Sequence, residues 1–198
     1  MLFVVTGPSG SGKSTLLRHV FKDLRNVEFS VSYTTRPPRE SEQDGREYHF
    51  IGDDEFRRMA GRGAFAEWAV VHGHSYGTAK SEIARRSRRG DVVLDIDVQG
   101  ARQIREHFPR SVFIFVLPPR LAELKRRLRD RGDDSTASIG LRLKDARREI
   151  RDASRFDYII INDRLDRAVL DLEGIILSSR CRADVRRRAV RTVLDSFR

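Results

Sequence analysis

Residues 2–15 read LFVVTGPSGSGKST, an apolar run that passes directly into a glycine-rich loop. The run predicts a buried strand, and the loop has the pattern of a glycine, four residues and then Gly-Lys-Ser before a helical segment. Glycines let backbone N–H groups approach phosphates closely, and the following helix turns its positive dipole end toward the same anion. The stretch therefore predicts a P-loop that binds a nucleoside triphosphate. The residues expected to bind it are Gly7, Pro8, Ser9, Gly10, Ser11, Gly12, Lys13, Ser14 and Thr15.

Four polar side chains have predicted roles around the triphosphate. Lys13 can reach the β- and γ-phosphates, and the Ser14 hydroxyl can ligate Mg²⁺. A second apolar run ends in the carboxylates Asp95 and Asp97, as in a Walker B element. Either carboxylate is a candidate to hold Mg²⁺ through water or to contact the substrate. Helix capping is the alternative role, and the two roles can fall to different residues.

Short apolar runs alternate with helical patterns along the rest of the chain. The predicted strands are residues 2–6, 27–31, 92–96, 112–117 and 158–161. The predicted helices are residues 14–23, 79–88, 119–131, 139–153 and 165–179. Runs this short and rich in Val, Ile and Phe are typical of parallel strands that are buried on both faces. The alternation predicts an α/β fold, a P-loop NTPase-type parallel sheet that is doubly wound, with helices on both faces.

The segment from residue 32 to residue 78 breaks this alternation, since it is rich in Arg, Pro, Gly and aromatic residues. We expect a single domain over residues 1–198, whose core is residues 1–31, 79–117 and 151–198. Residues 32–78 form an inserted lobe that binds the acceptor substrate, and residues 118–150 form a mobile lid segment. The tail, residues 182–198, is expected to be a helix, and the sequence does not indicate what it packs against or what its basic residues do.

Composition narrows the class of protein. The chain has a formal net charge of +10, and most of its 39 basic residues are arginines. Such a surface can bind nucleic acid, or its arginines can clamp small polyanions by bidentate bonds. No apolar run approaches the roughly 20 residues that span a membrane, and no signal peptide is recognisable, so we expect a cytoplasmic protein without membrane association. The lone Cys181 excludes an internal disulfide and has no predicted role, and His72 and His74 without a third ligand make a weak metal site.

Residues 32–39 read SYTTRPPR and are the most informative segment after the P-loop. Arg36 and Arg39 lie three residues apart on a stretch that Pro37 and Pro38 stiffen, with hydroxyl groups just before them. Proline fixes φ and reduces the entropy lost when the segment is ordered. The segment therefore suits a phosphate monoester, and a solvated basic loop is the alternative.

Several separate motifs now occur in one order along the chain. They are the P-loop and residues 32–39, 45–50, 65–69, 76–78, 94–100 and 127–132. With these motifs the chain resembles the guanylate kinase family along essentially its whole length. The resemblance implies transfer of the γ-phosphoryl group of ATP to GMP, giving ADP and GDP, in purine nucleotide metabolism and GMP recycling. It implies that the GMP pocket is lined by Ser32, Arg36, Arg39, Tyr48, Glu67, Tyr76, Gly77, Thr78 and Asp97.

The chemistry of GMP fits these residue types. Guanine presents two adjacent donors, N1–H and the exocyclic amine, which the single carboxylate of Glu67 can accept together. Adenine would leave that carboxylate unpaired, and sites of this kind can reject the wrong partner by roughly 10⁴ or more. Ser32 and Thr78 can donate to the guanine O6. The phosphate end of GMP can be bound by Arg36, Arg39, Tyr48 and Tyr76.

The family's arginines on the ATP side would be Arg127 and Arg131 in the lid segment and Arg142 in the next helix. Since the acceptor oxygen is already anionic, no base is needed, and positive charge must bring two polyanions together. The candidate catalytic residues are Lys13, Arg36, Arg127, Arg131 and Arg142. Asn162 is expected either to approach the adenine of ATP or to form a turn.

Three other functions compete with this one. A guanylate-kinase-like module could bind phosphorylated proteins without catalysis, but it would not need Lys13, Ser14 or the lid arginines. A P-loop kinase for a phosphorylated sugar would not need Glu67 or residues 76–78. A nucleic-acid binder would not need a P-loop. The expected partners are therefore ATP and GMP with Mg²⁺, without a specific nucleic acid, and homo-oligomerisation stays open.

Overall fold

A computed structural model of the chain describes residues 1–130 and 136–198, except the side chains of residues 136 and 137. Within these residues the strands are β1 (Leu2–Thr6), β2 (Val27–Phe29), β3 (Ser32–Thr34), β4 (Tyr48–Phe50), β5 (Phe65–Val71), β6 (His74–Ala79), β7 (Asp91–Asp95), β8 (Val112–Leu117) and β9 (Tyr158–Ile161). The α-helices are α1 (Lys13–Asp23), α2 (Asp53–Gly61), α3 (Lys80–Ser87), α4 (Val98–His107), α5 (Leu121–Asp130), α6 (Thr136–Ile150), α7 (Leu165–Arg180) and α8 (Ala183–Asp195).

Five of these strands form a parallel sheet in the order β2-β7-β1-β8-β9. Successive residues of a strand point to opposite faces, and both faces of β1 are buried. Phe3 packs with Leu16 of α1 and Leu172 of α7 on one face. Val4 packs with Ile83 of α3 and Ile104 of α4 on the other. Helices therefore cover both faces, which confirms the predicted doubly wound α/β fold.

The inserted lobe contains a second, four-stranded sheet in the order β4-β3-β6-β5. The chain enters it through the short strand β3, and β6 leads into α3, which packs against the main sheet. Its small core stacks Phe56 of α2 on Phe65 of β5, with ring centroids 4.6 Å apart. These strands mix polar, glycine and aromatic residues and lack the continuous apolar runs of the main sheet, so the sequence pattern did not predict them.

Two helices of the lid segment pack on each other through buried apolar side chains. Leu124 and Leu128 of α5 contact Ala146 of α6. Leu121, the first residue of α5, is 40% exposed.

The predicted helices all occur, with ends that differ by up to three residues, whereas α2 and α4 were not predicted. The apolar stripe of α4 consists of only Val98, Ala101 and Ile104, which is too short to be recognised from periodicity. The tail forms the predicted helix as α8, and none of its residues is buried. Within the described residues, the helices are too short or too polar to cross a membrane.

Candidate active site

The P-loop connects β1 to α1 through glycines that adopt left-handed backbone conformations. Gly7 has φ 143° and Gly12 has φ 95°. A Cβ atom at Gly7 would lie 2.2 Å from the Val116 carbonyl oxygen, and one at Gly12 would lie 2.3 Å from Asn162 Nδ2. Neither position tolerates a side chain without movement of its neighbours. The loop is therefore pressed against β8 and the end of β9.

Lys13 begins α1, and its ammonium group turns back over the loop. Lys13 Nζ donates to the Gly7 carbonyl at 2.7 Å and lies 3.9 Å from Asp95 Oδ1 at the end of β7. Ser14 and Thr15 follow in the first turn of α1 and are exposed. The predicted lysine, hydroxyl and carboxylate are therefore contributed by adjacent elements at one edge of the parallel sheet.

Two side chains, those of Asn162 and Arg127, donate hydrogen bonds to the backbone of the P-loop. Asn162 Nδ2 donates to the Ser11 carbonyl at 2.8 Å, and the Asn162 side chain is almost wholly buried. Arg127 of α5 donates to the same carbonyl at 3.2 Å and to the Asn162 carbonyl at 3.1 Å. Glu123 accepts from Arg127 Nε at 2.8 Å and orients its guanidinium. Asn162 thus supports the loop, a role that the sequence did not suggest.

Arg142 connects the second lid helix to the same loop. Its Nη1 donates to Ser9 Oγ at 3.3 Å. Two of the three predicted arginines on the ATP side, Arg127 and Arg142, therefore contact the P-loop directly. Arg131 lies outside the described residues, so its predicted role stays a prediction.

Ser32, Glu67 and Thr78 lie together in the second sheet, and we call these three residues the acceptor pocket. Glu67 of β5 is paired in register with Thr78 of β6 and is 4% exposed. Its carboxylate accepts hydrogen bonds from the Thr78 hydroxyl and backbone N–H. Thr78 Oγ1 lies 3.1 Å from Ser32 Oγ. Gly77 is buried beside them, and a Cβ there would lie 3.0 Å from Trp68 Cβ.

Burial raises the pKa of Glu67 to about 7, and the nearby Asp97 carboxylate contributes, whereas the hydrogen bonds from Thr78 oppose the rise. A buried carboxylate with spare acceptor capacity is a good recognition group for a ligand that brings two N–H donors. Helix α4 packs directly against the Glu67 carboxylate at Gly100, since a Cβ atom there would lie 2.3 Å from Glu67 Oε2.

The two Walker B carboxylates have different surroundings. Asp97 is the N-cap of α4, and its Oδ1 accepts from the Gly100 N–H at 2.8 Å. Asp95 faces Lys13. The capping role that we considered for one of the two therefore falls to Asp97, which also lies close enough to influence Glu67.

Arg36, Tyr48 and Tyr76 form a second polar group in the inserted lobe, which we call the phosphate cluster. The Arg36 guanidinium lies 5.6 Å from the Tyr48 ring centroid, and the two tyrosine rings are 5.8 Å apart. Burial raises the pKa of Tyr48, so its hydroxyl stays protonated and can donate. Arg39 lies in an exposed stretch of the adjoining loop.

Comparison with known proteins gives the family of this chain. The sequence model of the family described as guanylate kinase matches residues 1–179. The chain belongs to the guanylate kinase family. A guanylate kinase from Dechloromonas aromatica is 51% identical over 90% of this chain and 89% of its own length. One from Geobacter metallireducens is 44% identical over 100% of this chain and 96% of its own length.

Solved structures extend the comparison to the fold. The crystal structure of guanylate kinase from Anaplasma phagocytophilum has a TM-score of 0.77 at 29% identity, covering 92% of this chain and 87% of that chain. A shikimate kinase from Bacteroides thetaiotaomicron has a TM-score of 0.53 at 15% identity, covering 89% of this chain and 98% of that chain. The second likeness concerns the fold alone.

In this guanylate kinase family member, Glu42 joins the phosphate cluster although the sequence analysis did not name it. Both carboxylate oxygens of Glu42 accept from Arg36 Nη2, at 2.8 and 2.9 Å, and one also accepts from the Arg39 N–H. The Glu42 carboxylate therefore engages the Arg36 guanidinium. An acid six residues after Arg36 in the same loop is a signal that was available in the sequence.

Glu149 is a second missed residue. It lies on α6, two turns after Arg142, and burial raises its pKa to about 7. Lys13 opposes that rise and Asp97 adds to it, so the Glu149 carboxyl group is near both.

A further contact joins the inserted lobe to the lid segment, because His72 Nδ1 lies 3.7 Å from Asp145 Oδ2. The site is thus bordered by three parts of the chain.

Proposed function

We propose that the P-loop, the acceptor pocket and the phosphate cluster together transfer the γ-phosphoryl group of ATP to GMP. Membership of the guanylate kinase family makes the chain an ATP:GMP phosphotransferase. The observation that carries the residue assignment is the buried Glu67 carboxylate, which is held by Thr78 in the same lobe as Arg36. No other part of the described chain combines these groups with a P-loop.

The acceptor pocket supplies the base recognition in this proposal. The Glu67 carboxylate accepts from guanine N1–H and the exocyclic amine, while the Ser32 and Thr78 hydroxyls donate hydrogen bonds to the O6 oxygen. The raised pKa of Glu67 means that GMP binding draws on the ionised form. Adenine presents an acceptor at N1, so AMP would leave the carboxylate buried without a donor.

The phosphate cluster anchors the other end of GMP. Arg36 and Arg39 supply positive charge, and the hydroxyls of Tyr48 and Tyr76 donate hydrogen bonds. Glu42 holds Arg36 in the absence of an anion, so GMP phosphate exchanges with that carboxylate or shares Arg36 with it. Charge-assisted bonds of this kind fix a phosphate in position as well as in orientation.

On the donor side, the P-loop N–H groups and Lys13 cradle the ATP phosphates. Arg127 and Arg142 contact the loop at Ser11 and Ser9, so their positive charge lies beside the loop that binds the phosphates. We retain Arg131 as a further arginine of the lid segment. These cations stabilise charge that spreads over the equatorial oxygens during transfer, and closure of residues 118–150 excludes water.

A divalent cation belongs to this chemistry. The Ser14 hydroxyl and the Asp95 carboxylate are oxygen donors of the kind that Mg²⁺ prefers alongside phosphate oxygens. Among the described residues, no group of three or more His, Cys, Asp and Glu side chains could hold a metal. The donor set therefore suits a cation that is bound mainly by the substrate. Mg²⁺ would neutralise phosphate charge, with Ser14 and Asp95 holding it.

We also propose a cytoplasmic setting, because ATP and GMP are both drawn from the pools there. In this setting the exposed Cys181 is a free thiol. The arginines that the site uses account for part of the positive charge without a nucleic-acid partner.

The test is ADP formation from Mg-ATP with GMP, AMP, CMP, UMP or no acceptor. We expect strong turnover with GMP alone. Lys13→Ala should still fold but lose at least about 10³-fold in kcat, since a preorganised charge at a transferring group contributes several kcal/mol. Exposed Lys22→Ala on the same helix is the matched control. Lack of turnover with every one of these acceptors, in a folded protein that binds ATP, would contradict the proposal.

A further inference from the structure

We infer that Gln103 is a positioning residue that sets the guanine specificity of Glu67 by clamping the open edge of β5. The inference rests on the proposed function, since it assumes that Glu67 accepts from guanine. Gln103 contributes no atom to the acceptor pocket. It acts through the backbone of Trp68, the residue that follows Glu67.

The clamp is a pair of hydrogen bonds between one side chain and one residue's backbone. The Trp68 N–H donates to Gln103 Oε1 at 3.1 Å, and Gln103 Nε2 donates to the Trp68 carbonyl at 2.8 Å. β5 is an edge strand, bordered by β6 on one side only. A carboxamide presents one acceptor and two donors, so it can satisfy both outward-facing groups as a neighbouring strand would.

This edge needs support because β5 is irregular there. The register between β5 and β6 shifts between Phe65 and Glu67, so the ladder alone leaves the direction of the strand loosely determined at this point. The clamp lies one residue after the irregularity. It therefore fixes the backbone on the far side of Glu67, while Thr78 fixes it from β6.

Helix α4 presents three positions to β5 at intervals of three residues. Asp97 caps the helix, Gly100 leaves room for the Glu67 carboxylate, and Gln103 binds Trp68. Residues at this spacing lie on one face of a helix. Since Ala101 and Ile104 anchor α4 to the main sheet with Val4, the clamp ties the guanine-reading strand to the rigid core.

The decisive experiment replaces Gln103 with Met, which has a similar length but cannot form the pair of hydrogen bonds. Steady-state kinetics are measured with GMP and with IMP, which lacks the exocyclic amine that Glu67 accepts, and with varied ATP. We expect KM for GMP to rise about 5- to 20-fold and the preference for GMP over IMP to fall about 5-fold. KM for ATP should stay within about twofold of the wild-type value.

Gln103→Glu is the second variant, since its carboxylate still accepts from the Trp68 N–H but cannot donate to the carbonyl. Its loss should be at least as large as that of Gln103→Met, because its second carboxylate oxygen faces the Trp68 carbonyl oxygen, and both atoms are acceptors. Glu106→Gln on an exposed turn of α4 is the matched control and should change nothing. In a Glu67→Gln background, Gln103→Met should no longer alter the GMP/IMP ratio, because the two residues act through one contact.

An unchanged GMP/IMP ratio in a stable Gln103→Met variant would overturn the inference, even if the melting temperature fell. So would a loss of preference that persists in the Glu67→Gln background. Failure of the proposed function would look different, because the wild-type protein would then not phosphorylate GMP at all.

Discussion

The carboxylate of Glu67 is nearly inaccessible to solvent and its pKa is raised to about 7 from an ordinary value near 4.5. Between these two pH values the folded protein binds more protons at this group than the unfolded chain does. Folding stability is therefore lost as the pH rises from about 4.5 to about 7, and the full cost remains above that range. The group that we propose for guanine recognition therefore destabilises the empty pocket above about pH 7.

Glu67→Gln should remove this cost because an amide does not ionise. We expect the variant to be more stable than wild type by about 1–2 kcal/mol at pH 8, and to differ little near pH 4.5. Urea unfolding of both proteins at the two pH values measures the difference. Glu149 has a pKa raised in the same direction, but it is present in both proteins and cancels. Equal stabilities at pH 8 would show that Glu67 is not strained by burial.

The same substitution should damage selectivity for GMP more than ATP binding. A glutamine offers guanine one acceptor and one donor where two acceptor positions are needed, so the preference for GMP over AMP should fall by at least about 10². An unchanged preference would remove Glu67 from its proposed role.

At the scale of elements, the P-loop depends on β9 as well as on β1 and α1. Asn162 follows β9 and donates to the Ser11 carbonyl across 151 positions of sequence. The sequence left two roles open for Asn162, an approach to the adenine of ATP or a turn, and the adenine contact stays a prediction. These two roles of Asn162, support of the loop and contact with adenine, can be separated by comparing ATP with GTP as the phosphoryl donor.

Asn162→Ala should lower kcat/KM for ATP and for GTP by the same factor, about 10-fold, because a loosened loop holds any triphosphate less well. Kinetics with each donor at saturating GMP provide the comparison. Exposed Asp163→Asn is the neighbouring control and should behave as wild type. A larger loss with ATP than with GTP would instead indicate an adenine contact.

At the scale of the whole molecule, α8 stands apart from the core. None of its residues is buried, Phe197 is 84% exposed, and the family match ends at residue 179. Its apolar positions Val190, Val193 and Leu194 also face solvent in the single chain. The helix therefore contributes little to the stability of the monomer.

Removal of residues 183–198 should change the melting temperature by less than about 2 °C, since little apolar surface is uncovered. Turnover with GMP should stay within about twofold. Light scattering of both forms tests the open question of homo-oligomerisation. A large loss of stability together with a smaller assembly would show that a second copy covers α8.

The P-loop and the alternation of strands and helices could be predicted from the sequence because both depend on neighbouring residues. A strand, a glycine turn and a helix start follow one another within fifteen positions. The burial of a strand can be predicted from its own run of apolar residues. The same locality explains the misses. α4 has too few apolar positions to be recognised, and the strands of the inserted lobe carry polar and glycine residues in place of a continuous apolar run.

By itself the sequence determined the fold class, the triphosphate loop and the family to which the acceptor residues belong. Only the tertiary structure decided which side chains hold the site in place. Glu42 binds Arg36, Asn162 donates to the Ser11 carbonyl, and Gln103 binds the backbone of Trp68. The last two contacts join residues 151 and 35 positions apart. Such pairings arise from strand order and helix packing, which no local periodicity encodes.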